Sequence, residues 1–400
     1  MYSIKELYKV GNGPSSSHTM GPKYATEEFL RRYPNVNKVK VILYGSLALT
    51  GKGHLTDYII EKTILPRKCI IEFNILDEQA HPNTLEFFGY EDKELVGHMV
   101  VQSVGGGAIK ILGDSDRELD KIYPLENLTQ IIRYVKDNDI TLPEYINEIE
   151  GDGFDEYMDN IYDVMLDCVD RGLKNDGVLP GKLEVKRKAQ RIFTEVSNDK
   201  DPYDLLRKRT MAFAYAAAEE NASGGVIVTA PTCGASGVMP ACLRYALELD
   251  IYEHIDIVDG LKVAGLIGNI VKENGSISGA EAGCQAEVGT ACSMAAALYC
   301  YSTNTSLEQL EVAIEMALEH NLGLTCDPVE GYVQIPCIER NAVAALRALD
   351  VSIIASSFTN NETKVTFDEV TKTMYETGKS LSSEYRETSI GGLAKILKKD

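Results

Sequence analysis

The sequence predicts an α+β chain, with an N-terminal α/β domain holding a small sheet, followed by a larger all-α domain. Three observations carry this. Short β-branched runs alternate with helical ones up to about residue 120, whereas beyond about residue 125 apolar residues recur at three- and four-residue steps. The chain has 400 residues and 44% hydrophobic content, and single cores stop growing near about 250–300 residues.

Taken in order, VKVILYG (39–45) and CIIEFNIL (69–76) read as strands bounded by glycine or polar turns. ATEEFLRRY (25–33) and TDYIIEKTI (56–64) carry helical spacing around them. The texture then changes to ENLTQIIRYVKDNDI, LPEYINEIE, FDEYMDNIYDVMLDCVDRGL and KRKAQRIFTEV, all with amphipathic helical periodicity. Later Ala-rich stretches such as 204–223, 287–302 and 340–357 read as buried helices that can pack closely around a central site. From Pro124, Pro143, Gly151 and Gly153, the expected division is a domain at 1–123, a linker at 124–154 and a helical domain at 155–400.

The net charge of −20, with no block of Lys and Arg, argues against nucleic acid or anionic lipid as a partner. No run of about 18 apolar residues and no basic leader with an apolar core appear, so a cytoplasmic, non-membrane protein is expected. Nine cysteines, an odd number without tight spacing, read as reduced thiols rather than a disulfide framework.

Several loops carry chemistry-bearing residues. Ser15, Ser16, Ser17, His18 and Thr19, fenced by Gly13-Pro14 and Gly21-Pro22, offer donors suited to a carboxylate if a helix begins at Pro22. A serine-rich cap without ligand is the competing reading. Lys52 and His54, between glycines after a predicted strand, can supply a cation and an imidazole that titrates near neutral pH. His81 and Asn83 flank a proline after the next strand, and a lone histidine there is more often a surface residue. Number raises these three histidines above that reading, since His98, His254 and His320 lack comparable settings. Gly105, Gly106 and Gly107 lie between β-like segments, which favours a tight turn over a phosphate cradle, so no pyridoxal phosphate is expected.

In the helical half, the loop containing Thr232 and Cys233 can bring backbone amides and a thiol to a ligand, and Ser278 precedes a glycine-rich segment leading to Cys284. Cys284, Cys326 and Cys337 border glycine, aspartate-proline or proline, whereas Cys168, Cys242, Cys292 and Cys300 fall within apolar helical patterns as buried small hydrophobes do. Three thiolates turned toward one point suit an iron-sulfur cluster with one iron left open as a Lewis acid. The absence of any C-x-x-C pair counts against a closed four-cysteine site.

The motifs GNGPSSSHTMGP, YGSLALTGKGHLTD, HPN, VGGGA, TAPTCGASGVMPA, SISGAEAGCQAEVG and CDPVEGYVQIPCIERNA occur in this order over nearly the whole chain. The sequence thereby resembles the iron-sulfur-dependent L-serine dehydratases (L-serine ammonia-lyases) in their single-chain form. The resemblance implies a 4Fe-4S cluster on Cys284, Cys326 and Cys337 in the helical domain and elimination from L-serine to pyruvate and ammonia; a homodimer is expected from the general preference of soluble oligomers for two-fold symmetry. For that elimination we expect His54 as general base, with His18 and Lys52 as catalytic partners. Ser15, Ser16, Ser17, Thr19, His81, Asn83, Thr232, Cys233 and Ser278 are the expected substrate contacts. Alternatives are a lyase of the same scaffold acting on L-threonine or L-cysteine, or a non-catalytic amino-acid- or iron-responsive binding protein. Two departures stand out: no cysteine follows Cys337, where relatives use a C-terminal cysteine as a displaceable fourth ligand, and position 233 is Cys where many relatives carry Asn. The stretch between His54 and His81 is also shorter than in longer relatives, which removes the expectation of an allosteric subsite there.

Overall fold

The computed structural model describes residues 1–77, 79, 81, 83–114, 120–196, 201–358 and 364–397. A five-stranded sheet and its helices are followed by a larger helical assembly, as the sequence predicts.

The sheet is built from β2 (Lys38–Tyr44), β3 (Lys68–Asn74), β4 (Thr84–Glu91), β5 (Glu94–Gly105) and β6 (Ala108–Ile111), in the order β3-β2-β4-β5-β6. β2 and β3 run parallel, joined by α2 (Gly45–Thr50) and α3 (Thr56–Ile64), because a parallel pair needs a crossover. The other pairs are antiparallel. Alternation in β2 sends Val39, Val41 and Leu43 to one face, where they meet Phe29 of α1 (Gly21–Arg32) and Ile59, Ile60 and Ile64 of α3 in a separate core. The triple glycine is the β5–β6 hairpin turn: Gly105 pairs with Ala108, and Gly106 and Gly107 have φ of 58° and 77°. Two consecutive positive φ values are what a tight hairpin turn requires and glycine tolerates.

The helical assembly comprises α4 (Leu128–Asn138), α5 (Leu142–Glu150), α6 (Phe154–Lys174), α7 (Ala189–Val196), α8 (Pro202–Ala222), α9 (Val238–Leu249) and α10 (His254–Asn274). α11 (Gly279–Ala282), α12 (Thr290–Ser302), α13 (Leu307–Glu319), α14 (Cys337–Ala355), α15 (Phe367–Ser380) and α16 (Gly392–Leu397) complete it. α12, the most apolar stretch, is buried along nearly its whole length, consistent with its Ala-rich sequence. The stretch 124–154 contains α4 and α5, whose Leu128, Ile131, Val135, Leu142, Tyr145 and Ile146 are buried in the helical core.

One element departs from the expectation of an almost wholly helical second half. Val226–Val228 forms β7, paired antiparallel with β1 (Val10–Asn12). Three consecutive β-branched residues favour an extended strand once a partner is present. That partner comes from the N-terminus, where Met1, Ile4, Leu7 and Tyr8 are fully buried among the helices. The chain therefore starts in the helical core, turns at Ser15–Met20, and only then enters the sheet unit.

Candidate active site

The return from helical core to sheet unit creates the site. Ser16–Met20 forms a π-turn that leads straight into α1, so a helix starts where the Gly21-Pro22 pair predicts. The Ser15 hydroxyl accepts from the His18 N–H at 3.1 Å, and the Thr19 hydroxyl accepts from the Ser15 N–H at 3.2 Å. Thr19 also donates to the His54 carbonyl at 2.7 Å, and Thr56 donates to the His18 carbonyl at 2.6 Å, which locks the serine turn to the α2–α3 loop.

That loop carries His54, 1% exposed. Its Nδ1 lies 3.1 Å from the Thr50 carbonyl, an acceptor only, so Nδ1 carries the proton and Nε2 the lone pair. Nε2 is buried and has no hydrogen-bond partner among the described residues. Burial holds the imidazole down, to a pKa of about 4, so it is neutral at pH 7. His18 lies beside it, the rings tilted by 38° with centroids 4.5 Å apart, and Ser17 Oγ at 2.8 Å and Ser46 Oγ at 3.0 Å from its two nitrogens. Burial and the neighbouring His54 keep His18 well below the usual histidine range.

A cavity of about 230 Å³ lies between the two units. The serine turn (Ser15, Ser16, Ser17), His54 and the hairpin tip Gly105-Gly106 form one side of its lining. Thr232, Ser278, Glu287, Cys326, Cys337 and Glu387 contribute from the helical side. The two sides meet closely at Gly53, where an added Cβ would stand 3.0 Å from the Glu330 carbonyl. Left-handed non-glycine residues cluster here: Leu55 follows His54, Glu330 faces Gly53, and Glu387 lines the cavity. Such backbone is retained where surrounding structure enforces it, and it concentrates at functional sites.

Two of the three candidate cysteines sit at the start of helical elements. Cys337 opens α14, Cys284 precedes the π-turn Gln285–Gly289 that opens into α12, and Cys326 lies in an extended segment. The charges of Cys284 and Cys337 bear on Cys326, and that of Cys284 on Cys337, so the three sulfurs share one neighbourhood. Burial pushes all three thiols up, Cys284 to about 11. Metal binding there must therefore release protons. Among the described residues no three His, Cys, Asp or Glu groups form the ligand set of a single ion. A cluster asks for something else, one thiolate per iron spread around a larger body.

Arg340 adds a fixed cation beside these sulfurs. It bonds Cys284 and donates to the Thr325 carbonyl at 2.5 Å, with Asp327 at 3.6 Å. The Glu287 carboxyl accepts from Thr232 at 2.7 Å and lies 3.9 Å from the Cys326 sulfur; burial raises its pKa. The C-terminal segment is pinned to the same place: the Cys326 N–H donates to the Tyr385 carbonyl at 2.8 Å, the Glu387 N–H to the Cys326 carbonyl at 2.7 Å, and the Leu393 N–H to Asp327 Oδ2 at 2.6 Å.

Not every expected residue reaches the cavity. Lys52 is exposed, with Nζ 5.2 Å from the centroid of the Phe73 ring. His81 and Asn83 lie before β4, where the Asn83 N–H donates to His81 Nδ1 at 3.1 Å, and neither lines the cavity. Their link to it is indirect: the Asn83 carbonyl accepts from the Ser103 N–H, and the Ser103 hydroxyl donates to the Ser17 carbonyl at 2.7 Å. Cys233 is buried with its sulfur 3.5 Å from Met20 Sδ and is not part of the lining. Glu287, Glu387, Arg340 and Lys272 were missed from sequence. Only Glu287 and Arg340 carried a signal, each three residues beyond a candidate cysteine.

With this geometry in place, comparison with known proteins is direct. The family described as serine dehydratase alpha chain matches residues 91–394, and that described as serine dehydratase beta chain matches residues 3–67. L-serine dehydratase 1 of Escherichia coli is 39% identical over 98% of this chain and 99% of its own length. L-serine dehydratases of Haemophilus influenzae (37%; 98% and 99%) and Helicobacter pylori (38%; 99% of each chain) are similarly close. The chain belongs to the serine dehydratase family, with its alpha- and beta-chain regions in one polypeptide. Among the described residues no helix is long and apolar enough to cross a membrane.

Proposed function

We propose that this protein is an L-serine ammonia-lyase, converting L-serine to pyruvate and ammonia by β-elimination. One observation carries the reading beyond family membership: a buried, neutral imidazole whose Nε2 has no hydrogen-bond partner among the described residues shares a cavity with two of the three candidate cysteines. Such an imidazole is deprotonated at neutral pH and free to accept the Cα proton, and because burial also weakens it as a base, activation of the substrate must share the work.

Cys284, Cys326 and Cys337 fit a 4Fe-4S cluster by donor type and shared neighbourhood, and Arg340 offsets the negative charge such a group brings. When bound, the cluster would supply a Lewis-acidic iron that makes the substrate hydroxyl a better leaving group. The chain's own residues do the rest. His54 Nε2 takes the Cα proton while Nδ1 stays bonded to Thr50; Ser15, Ser16 and Ser17 offer hydroxyls and amides to the carboxylate; His18 and Thr19 hold the His54 loop in place. Thr232 and Ser278 line the opposite wall. Elimination of water gives aminoacrylate, which tautomerises to the imine and hydrolyses.

The labour divides between the sheet unit with its serine turn, which supplies His54, and the helical assembly, which supplies the cysteines and whose core also takes in the first residues of the expected 1–123 domain and α4 and α5 of the expected 124–154 linker. A cytoplasmic homodimer taking one small amino acid, without nucleic acid or membrane, completes the proposal. The test is pyruvate formation by anaerobically purified protein given L-serine, L-threonine or L-cysteine, with iron and visible absorbance measured on the same sample. L-serine should be preferred and should perturb the absorbance; full activity in colourless, iron-free protein would refute the cluster, and no turnover with any of the three would refute the lyase.

A further inference from the structure

The cavity holds one positive side chain that the mechanism above leaves idle. Lys272, in the last turn of α10, lines it beside Gly275, Ser276 and Ser278. Its ammonium donates to the Glu6 carbonyl at 3.1 Å. Glu6 keeps its own carboxylate for Lys9, 2.8 Å away, so Lys272 gains no ion pair there. An ammonium has three donors, and a neutral carbonyl satisfies one without balancing the charge.

The other titratable groups lining the cavity are His54, Glu281, Glu287, Cys326, Cys337 and Glu387, so Lys272 is its one cation at neutral pH among the described residues. Glu281 is engaged by Ser276 at 2.7 Å and Tyr375 at 3.1 Å, and Glu287 by Thr232. Burial, reinforced by Lys9, lowers Lys272 to a pKa of about 8, which leaves it mostly charged at pH 7. Glu6 and Glu273 bear on the ammonium from a distance, but no carboxylate among the described residues forms an ion pair with it, so a partly desolvated cation lines the cavity and can take an anion small enough to enter. Under the proposed reaction, the entering anion is the carboxylate of an α-amino acid.

We propose that Lys272 is the substrate-binding cation: it pairs with the α-carboxylate and sets specificity for free amino acids over their amides. The inference rests on the lyase reading and assigns to Lys272 the task expected of Lys52. The side chain emerges from the C-terminal turn of a long helix, where a cation is favoured, and its tie to Glu6 fixes the direction in which the remaining donors point.

The experiment compares wild type, K272M and K272R as anaerobically reconstituted full-length enzyme, measuring kcat and KM for L-serine and competitive inhibition by L-serinamide. Loss of one charged hydrogen-bonded pair predicts a rise in KM for L-serine of about 30- to 100-fold in K272M, with kcat changed less than about tenfold. The inhibition constant of the uncharged serinamide end should be unaltered, and K272R should recover most of the binding. An unchanged KM, or equal weakening of L-serine and L-serinamide, overturns the proposal and makes Lys272 a structural tie between α10 and the N-terminus. If K272M loses its cooperative thermal transition, K272Q carries the same comparison. Wild type that forms no pyruvate overturns the lyase reading, and this inference with it; active wild type with an indifferent K272M overturns this inference alone.

Discussion

Replacing His54 by Asn separates catalysis from structure in a single variant. The asparagine amide can still donate to the Thr50 carbonyl but offers no basic lone pair where Nε2 stands. Removal of a positioned general base predicts a fall in kcat of about 10²- to 10⁴-fold. Stability supplies an independent readout. The imidazole is held at about 4 in the folded protein against 6.5 when unfolded, a difference of about 3 kcal/mol. Because the folded state disfavours the proton, wild-type stability is full above pH 6.5 and is lost as pH falls from 6.5 toward 4. The H54N curve should be flatter over that window by about this amount, with His18 supplying the slope that remains. Urea denaturation followed by circular dichroism from pH 8 to 4, alongside pyruvate release at pH 7, measures both. Near-normal turnover with an unchanged acid slope would refute the assignment of His54 as a buried neutral base.

Three further outcomes follow from packing and ligand chemistry. Phe87, fully buried and stacked on Phe29 at 5.1 Å between centroids, anchors the sheet core, so F87A should cost about 3–5 kcal/mol and expose the 25–111 region to limited proteolysis first. A Cβ at Gly172 would fall 2.2 Å from the Ala216 carbonyl, so G172A must push α6 from α8 and lower Tm, by about 1–3 kcal/mol of stability. C337S should lose iron and visible absorbance on reconstitution while keeping its far-ultraviolet circular dichroism, and proton release on metal loading should fall below that of wild type.

The sheet unit was legible because its signals are local. VKVILYG and CIIEFNIL became β2 and β3, and ATEEFLRRY and TDYIIEKTI became α1 and α3, within a few residues of the expected ends. The glycine triplet resolved to a hairpin turn on φ grounds alone. β7 was hidden because three residues gain an extended conformation only from β1, supplied by a distant part of the chain. At the site, histidines and cysteines announced themselves through their glycine- and proline-rich settings. Lys272 gave no such signal, since a lysine in the last turn of a buried helix is ordinary until the fold forms a cavity beside it. Lys52 illustrates the converse: a cation between glycines in a promising loop, turned to the surface by the way that loop packs. Nothing in either local sequence distinguishes the two.

The β1–β7 ribbon has a consequence for biosynthesis. Its strands pair residues more than 200 positions apart, so Ile4, Leu7 and Tyr8 emerge from the ribosome long before the helices that will cover them. The sheet unit, whose contacts are nearer in sequence, can condense early, whereas the helical half must close that long span before its core is complete. A nascent chain halted between about residue 123 and β7 would carry an apolar leader with nowhere to go, and a chaperone is the natural custodian of it until translation delivers the missing strand.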